Sequence, residues 1–276
     1  MTAPRLIAAA RRRQAQKGRR GLIRTAPVIR DPRGLQRRYR ATLVAYVNEL
    51  RSYVQETLIP ALPELVRERN ATRADAWDED LSALLDAILV FGRRRGQEAA
   101  RSLEGYAQDV NEWNRSQFNK SVRAVIGVDI FGGTDGEALQ IAARSWAREN
   151  ARLISNVTEQ FMTDIEGIAQ RAIRGGESPG DIATEIRKRL DVTESRARLI
   201  ARDQIAKLNG QLTQTRNEAL GIERYIWSTS GDERVRESHR VMDGKLCLWS
   251  DDSVYSDDGG KTWKSRASIG GEIGHP

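Results

Sequence analysis

Several side chains that could bind an anion or transfer a proton lie close together in residues 226–244, IWSTSGDERVRESHRVMDG. Asp232 and His239 can ligate a divalent metal, and the guanidinium groups of Arg234 and Arg236 can clamp a phosphate. The segment therefore raises the hypothesis of a metal-dependent nuclease, or of another enzyme, centred on His239.

The number of histidines limits that hypothesis. The chain contains 2, so a His-rich metal centre is impossible. In the competing, structural interpretation Asp232 caps a short helix, Arg234 and Arg236 pair with nearby carboxylates, and His239 is held by hydrogen bonds. We favour this interpretation, and we predict a protein that is not an enzyme and has no catalytic residue, no metal site and no cofactor.

Two tryptophans and a cysteine accompany this segment. Trp227 and Trp249 are predicted to anchor the core of a small α+β module. Cys247, between Leu246 and Leu248, is predicted to occupy a buried strand position instead of acting as a nucleophile. A chain with 1 cysteine cannot form an internal disulfide, and it fits a reducing cytoplasm.

The elements that must position this segment are predicted to be mainly helical. Apolar residues make up 39% of the chain, aromatic residues 6% and charged residues 30%, a mixture that suits long amphipathic helices. An apolar residue recurs every three or four positions from Leu43 to Leu58, which predicts a helix that begins at Leu35. Pro60 and Pro63 are predicted to end it.

Glycines are predicted to divide the helices that follow. The stretch from Arg73 to Val125 suits two helices, or one helix that is kinked near Gly92 or Gly105. The sequence GVDIFGGTDG at residues 127–136 is the predicted internal boundary. No GKS or GKT follows its glycines and no βαβ pattern surrounds them, so we predict a loop that does not bind nucleotide.

The second half is predicted to be helical as far as Gly221. Helical patterning covers residues 136–174, Ser178 is the predicted N-cap of a short helix, and Thr193 is the predicted N-cap of a helix over residues 194–220. Gly221 is expected to supply a left-handed C-cap. Later segments are predicted as a strand at 223–227, a short helix at 234–242, a strand at 245–249 and a strand at 261–264.

The net charge of +7 is concentrated at the N-terminus. Residues 1–40 contain 13 Lys or Arg and only Asp31 on the acidic side, a net +12 that leaves the other 236 residues at −5. Charge repulsion and a shortage of apolar surface predict a flexible arm. It is either a solvated tail or an arm that binds DNA or an acidic protein surface. The residues predicted to make such contacts are Arg11, Arg12, Arg13, Lys17, Arg19, Arg20 and Arg24.

We therefore predict four regions. They are a flexible basic arm at 1–34, a long-helix region at 35–130, a second helical region at 131–221 and a small α+β module at 222–276. No window approaches the roughly 20 apolar residues that a membrane span requires. The apolar run Leu6–Ala10 is followed by three arginines instead of a cleavage site, so we predict a protein that is made in the cytoplasm.

Residues 201–249, ARDQIAKLNGQLTQTRNEALGIERYIWSTSGDERVRESHRVMDGKLCLW, resemble the C-terminal module of the phage Mu F-like head morphogenesis proteins. The shared pattern is a helix beginning Ala-Arg-x-Gln, an Asn, a Gly-Ile break, a Trp strand, Asp-x-Arg-Val-Arg, a His and Asp-Gly-Lys. Its positions here are Ala201, Arg202, Gln204, Asn209, Gly221, Ile222, Trp227, Asp232, Arg234, Val235, Arg236, His239, Asp243, Gly244 and Lys245. The preceding SPGDIATEIRKRL helix also fits, so the resemblance covers about residues 178–250.

The sequence departs from the family pattern in two places. Family members commonly end in a Pro-Gly-x-x-x-Asn-Cys-Arg-Cys tail, whereas this sequence stops at Gly274-His275-Pro276. Other members also carry cysteines where this chain has Ser238 and His239. We expect a chain that is naturally shorter, truncated or processed, without the zinc site that the tail could build.

The resemblance implies a structural minor head protein of a tailed phage, located in the virion at the capsid interior or the portal vertex. It implies roles in procapsid assembly and in genome packaging or delivery. The expected partners are the portal protein, the major capsid protein, or both, together with packaged double-stranded DNA. No membrane and no small-molecule substrate are expected. The motif residues expected to serve the structure are Trp227, Asp232, Arg234, Arg236, His239, Asp243 and Gly244. A protein-only helical adaptor stays open as an alternative, beside the enzyme centred on His239.

Overall fold

The computed structural model describes residues 26–71, 76–127, 136–229, 231, 233 and 235–273. Five long helices come first: α1 is Arg33–Asn70, α2 is Ala76–Ala100, α3 is Leu103–Ile126, α4 is Glu137–Gly175 and α5 is Pro179–Ala219. The remaining elements are β1 (Arg224–Ile226), α6 (Glu237–Arg240), β2 (Leu246–Leu248), β3 (Val254–Ser256), β4 (Lys264–Ser265) and a 3₁₀-helix (Arg266–Ile269). The prediction of a mainly α chain with a small α+β module at its C-terminus is confirmed.

The described residues form two compact units. The first, which we call the helical unit, consists of Pro32–Val110 and Ala143–Ala206. The second, which we call the C-terminal unit, contains the described residues outside those ranges. These units group residues by contact and not by order along the chain, so the division of the sequence into four successive regions stays a prediction.

The core of the helical unit is built from the apolar stripes of α1, α2, α4 and α5. Its fully buried members include Leu50, Leu58, Ile88, Phe161 and Ile186. Each lies on the stripe that repeats every three or four residues, so the stripes predicted from the sequence are the faces that pack. The helical unit therefore has a continuous hydrophobic core of its own.

Helix α1 does not end where the sequence predicted. Pro60 and Pro63 both lie inside it, and the helix continues to Asn70. An interior proline costs a helix about 3 kcal/mol. Burial of an aliphatic side chain returns about 1.5–3 kcal/mol, and this stretch buries Leu58, Leu62 and Leu65 almost completely. Packing therefore overrides the local helix-breaking tendency.

A second helix boundary is also different. Thr193, the predicted N-cap, lies in the interior of α5, and its hydroxyl donates to the carbonyl of Arg189 at 3.0 Å. Residues 179–219 therefore form one helix instead of two. Ser178 does cap α5, because its Oγ accepts the N–H of Asp181 at 3.2 Å. At the other end, Gly221 adopts the predicted left-handed conformation, with φ +68°.

The other helix boundaries agree with the predicted breaks. Two helices cover the stretch after residue 76, and they are separated at residues 101–102, near the Gly105 position. Helix α3 ends at Ile126 and α4 begins at Glu137, on either side of the predicted glycine-rich boundary. Residues 128–135 within that boundary lie outside the described part of the chain. None of the helices in the described ranges is long and apolar enough to cross a membrane.

The C-terminal unit contains an antiparallel sheet in the order β1-β2-β3-β4. Tyr225 pairs with Cys247, and Cys247 pairs with Tyr255, so these three residues lie in one cross-strand row. Strand β3 lies between the strands predicted at 245–249 and 261–264, where the sequence predicted none, and β4 begins at Lys264, later than predicted. These strands are two or three residues long, too short for an alternating pattern to be visible.

Candidate functional site

The segment around Trp227 and Asp243 is a tightly bonded turn between β1 and β2. The N–H of Trp227 donates to the carbonyl of Lys245 at 2.8 Å, and the N–H of Gly244 donates to the carbonyl of Trp227 at 2.8 Å. One carboxylate oxygen of Asp243 accepts the backbone N–H and the hydroxyl of Thr229 at 2.8 and 3.1 Å. Gly244 has a φ of +75°, which only glycine adopts without strain. The Asp-Gly pair thus closes the turn that leads into β2.

His239 lies in the short helix α6, beside Trp227. Their rings meet edge to face, with centroids 5.5 Å apart. Nε2 of His239 lies 4.0 Å from Oε2 of Glu272, which is beyond hydrogen-bonding distance. The same carboxylate oxygen accepts the hydroxyl of Ser238 at 2.8 Å. His239 is therefore packed against an aromatic ring and close to one carboxylate.

The predicted partners of His239 are only partly described. Asp232 and Arg234 lie outside the described residues. Arg236 occupies the N-cap position of α6, and its own side chain makes no capping hydrogen bond. Arg240 pairs with Glu237 at 2.8 Å, on the same helix. The structural roles predicted for Asp232, Arg234 and Arg236 stay predictions.

A metal site is not formed by the residues whose positions are known. Within the described ranges, no three His, Cys, Asp or Glu side chains are grouped so that they could hold a metal ion. The Glu272 carboxylate, 4.0 Å from Nε2 of His239, places one potential ligand beside the imidazole. Asp232 lies outside these ranges.

The core of the module consists of Trp227, Met242, Cys247 and Tyr255, all buried. Cys247 is fully buried, and that burial raises the pKa of its thiol. A raised pKa keeps the sulfur protonated and poorly nucleophilic at neutral pH. Trp227 is thus buried in this core, and Cys247 occupies a buried position in strand β2, as the sequence predicted for the cysteine.

Trp249 is also buried, as predicted, and its ring stacks on Tyr225 with centroids 4.0 Å apart. Burial raises the pKa of the Tyr225 hydroxyl to about 12. The ring of Tyr225 thus joins the Trp249 side chain to the row of strand residues that includes Cys247. Both predicted tryptophan anchors therefore belong to the packed interior of the module.

Arg266 is a central residue that the sequence did not reveal. Its side chain is fully buried. It donates to the carbonyl of Val254 and the hydroxyl of Tyr225, both at 3.0 Å, and to the carbonyl of Glu272 at 3.3 Å. Its guanidinium carbon lies 5.3 Å from the centre of the Trp227 ring, a favourable cation–π distance. One buried guanidinium thus ties β1, β3 and the segment after the 3₁₀-helix together.

Asp258 organises the loop between β3 and β4. Its carboxylate accepts the hydroxyl of Thr262 at 2.7 Å, the hydroxyl of Ser256 at 2.7 Å, and the N–H groups of Lys261 and Thr262 at 2.9 and 3.0 Å. These hydrogen bonds, that of the Thr262 side chain foremost, hold the pKa of Asp258 far below its ordinary value. The Asp258 carboxylate therefore serves to hold the loop together by hydrogen bonds, and not to transfer a proton.

The basic residues predicted to bind DNA or an acidic partner are Arg11, Arg12, Arg13, Lys17, Arg19, Arg20 and Arg24, and all of them lie outside the described residues. The same charged segment continues into the described chain. Arg30, Arg33, Arg37 and Arg40 are exposed, whereas Arg38 pairs with Asp109 at 2.9 Å. Several positive charges at the start of α1 are thus open to solvent.

Fold and module together define a helical protein that ends in a small α+β module. Residues 163–269 match the model of the family described as Phage Mu protein F like protein. The match confirms the resemblance inferred from the motif around His239, and it extends that resemblance to the end of the 3₁₀-helix.

A protein of Haemophilus influenzae (strain ATCC 51907 / DSM 11121 / KW20 / Rd), described as uncharacterized, is 30% identical to this chain over 173 residues. The alignment covers 62% of this chain and 39% of that relative. The chain therefore spans about two fifths of the length of the curated relative that it matches. No solved structure matches the chain.

Proposed function

We propose that this chain is a structural minor head protein of a tailed phage, which attaches to the portal or the inner capsid. It acts in procapsid assembly and in genome packaging or delivery, and its basic N-terminal arm contacts the DNA. The observation that carries the proposal is the match of residues 163–269 to the phage Mu F-like family.

The surroundings of His239 support a structural role for the motif. The imidazole packs against the ring of Trp227, and the neighbouring Ser238 bonds to Glu272. The edge-to-face contact between the imidazole and the Trp227 ring supports the proposal that the motif holds α6 against the sheet.

Charge supports the DNA contact. The head of a tailed phage is filled with a polyanion, and a protein that neutralises phosphates with Lys or Arg gains affinity by releasing counterions. The first 40 residues carry 13 Lys or Arg, and four of them at the start of the described chain are exposed. An arm of that composition suits DNA without sequence preference, since phosphate contacts carry no sequence information.

The head-protein proposal is tested with particles. The chain is expressed together with the neighbouring reading frames of its phage genome, and heads are purified by sedimentation. We expect the chain to sediment with heads or portal rings, and deletion of its gene to yield particles with less DNA. If the chain is absent from purified heads, and heads form and fill without it, the proposal is wrong.

The DNA clause has its own test. Deleting residues 1–25 removes Arg11 and the six other predicted arm contacts. The cut leaves Pro27 and Asp31, which bond to Ser121 and Asn209 inside the C-terminal unit. We expect the shortened chain to lose most of its retention on double-stranded DNA at low salt, and a smaller salt dependence. Undiminished retention would remove the arm from the proposal.

The enzyme alternative is tested directly. Purified protein is incubated with supercoiled plasmid and magnesium, manganese or zinc ions. We expect no nicking above that of a His239→Ala preparation made in parallel. Nicking that needs a metal and disappears in His239→Ala, with the circular dichroism spectrum unchanged, would establish the nuclease instead.

A further inference from the structure

Three arginines form a stripe along helix α4, in the helical unit. Arg144, Arg148 and Arg152 follow one another at intervals of four residues, and all three are exposed. Residues four apart lie on one face of an α-helix, and each step rises about 6 Å. The stripe therefore presents three guanidinium groups along about 12 Å of one exposed face.

The three arginines have no anionic partner in the described part of the chain. No carboxylate there forms an ion pair with Arg144, Arg148 or Arg152. Other arginines of the same unit are paired, for example Arg51 with Asp191 at 2.9 Å and Arg93 with Glu159 at 2.9 Å. Like charges four residues apart destabilise a helix, so the stripe carries an electrostatic cost that a bound polyanion would remove.

Along α4, the neighbours of the stripe are mostly polar and include few acidic residues. Between Glu137 and Glu159 the sequence of α4 contains one acidic residue, Glu149. Exposed Ser145, Ser155 and Asn156 lie next to the arginines along the helix, and their side chains can donate hydrogen bonds to phosphate oxygens. Ile141 is exposed about one turn before Arg144, but no exposed large apolar side chain lies between Arg144 and Arg152, whereas protein interfaces rely on clusters of buried aromatic and aliphatic anchors.

We propose that Arg144, Arg148 and Arg152 form a second DNA-binding surface, which grips the phosphate backbone of double-stranded DNA. Over about 12 Å of duplex axis each strand presents three or four phosphates, a number that matches the stripe. Guanidinium forks bind phosphate oxygens in pairs. The surface reads no sequence, and it lies in the folded helical unit instead of the arm. That DNA is its natural ligand rests on the proposed function, in which the protein lies in a DNA-filled head.

The test is the salt dependence of DNA binding by the full chain. The affinity for a duplex of mixed sequence is measured from 50 to 200 mM salt, for the natural sequence and for the triple variant Arg144→Gln, Arg148→Gln, Arg152→Gln. Each lost phosphate contact lowers the slope of log affinity against log salt by about 0.9. We expect the magnitude of the slope to fall by about 2.7, so that the loss of affinity across this range shrinks by about 40-fold.

A matched control removes the same charge elsewhere in the helical unit. Arg171, Arg187 and Arg196 are exposed on α4 and α5 but are not spaced as a stripe, and their triple Gln variant is expected to change the slope by less than about 1. If the stripe variant keeps the natural slope, or if the control lowers the slope equally, the proposal is wrong.

A third variant separates this proposal from the function of the arm. This triple variant of the full chain carries Arg11→Gln, Arg12→Gln and Arg13→Gln, and it tests the arm. A reduced slope in the stripe variant with none in the arm variant supports this surface and overturns the DNA clause of the proposed function. The opposite result overturns this surface and leaves that clause standing. Incorporation into heads is read separately, so failure of the head-protein proposal is seen whatever the slopes show.

Discussion

Ser238 and Glu272 are joined twice, once through their side chains and once through the backbone. The hydroxyl of Ser238 donates to the Glu272 carboxylate at 2.8 Å, and the N–H of Glu272 donates to the carbonyl of Ser238 at 2.9 Å. Helix α6, which carries His239, has four residues, and its N-cap residue Arg236 makes no side-chain capping hydrogen bond. A helix this short is not stable by itself, so its position depends on contacts such as this pair.

Replacing Ser238 by alanine tests the contribution of the side-chain bond. The backbone bond remains, and the half-exposed carboxylate of Glu272 can turn to water. We therefore expect a loss of about 0.5–1 kcal/mol in the free energy of unfolding, measured by urea denaturation with near-ultraviolet circular dichroism. Ser195→Ala, at an exposed position of α5, is the matched control and should be neutral or slightly stabilising. Equal effects of the two substitutions would show that the bond contributes nothing.

Lowering the pH should destabilise the fold at the β3–β4 loop, because the Asp258 carboxylate becomes protonated. Hydrogen bonds from Thr262 and Ser256 lower the pKa of the folded carboxyl, whereas the unfolded value is about 3.9. The ionised group therefore stabilises the fold above about pH 4, and this contribution is lost progressively as the pH falls towards the folded-state pKa. The expected loss of stability below pH 4 is smaller in Asp258→Asn, because that side chain does not titrate.

The comparison uses thermal unfolding at several pH values between 2 and 7. Asp86→Asn removes the same charge from an exposed position of α2 and serves as the control. We expect Asp258→Asn to be less stable than the natural sequence at neutral pH. Its melting temperature should also fall less between pH 4 and pH 2. An equal fall in melting temperature below pH 4 for Asp258→Asn and the natural sequence would contradict the assignment of the lowered pKa to this loop.

Helix α1 should become more stable when Pro60 is replaced by alanine. Pro60 is exposed inside the helix, where a proline removes one backbone hydrogen bond and crowds the preceding turn. Alanine restores the donor, and we expect a gain of about 1–3 kcal/mol in the free energy of unfolding. Pro179→Ala is the control, because Pro179 is the first residue of α5, where the missing N–H costs nothing. A gain no larger than that of the control would mean that the proline fits the backbone of α1.

These boundaries show what the sequence could and could not predict. Apolar stripes located the long helices, since burial of one face is a local pattern. Their ends were less predictable. Pro60 is an ordinary signal for the end of a helix and Thr193 for the start of one, and both are overridden by leucines and isoleucines that pack on other helices. Such packing joins residues far apart in the chain, which a local pattern cannot show.

The candidate site, too, could be predicted only in part from the sequence. The motif around Trp227 and Asp243 was visible because its residues are close in sequence and match a family pattern. Arg266 and Glu272, which complete the module, follow it by more than 20 residues, and an arginine in a polar stretch gives no sign that it will be buried. Only the folded module brings Arg266 within hydrogen-bonding distance of Tyr225. The basic arm stays a prediction, because residues 1–25 lie outside the described ranges.

Helix α2 packs closely against its neighbours at Gly92. A Cβ atom added there would lie 2.8 Å from Cγ2 of Thr158 and 3.4 Å from Cδ1 of Leu50. Alanine is favoured over glycine in a helix by about 1 kcal/mol, but overpacking a core costs about 1–3 kcal/mol. We expect Gly92→Ala to lower the free energy of unfolding by about 1 kcal/mol. Gly105→Ala in α3, where no atom lies within 4 Å, should instead raise it by up to about 1 kcal/mol.

A double-mutant cycle identifies the contact responsible. Thr158→Ser removes Cγ2 and keeps the hydroxyl that bonds to Tyr46. By itself it should cost about 1 kcal/mol, because a buried methyl group is lost. Combined with Gly92→Ala it fills the space that the methyl group left, so the double variant should be more stable than the sum of the single effects predicts, by at least about 1 kcal/mol. Strict additivity would show that Gly92 is required for some reason other than its approach to Thr158.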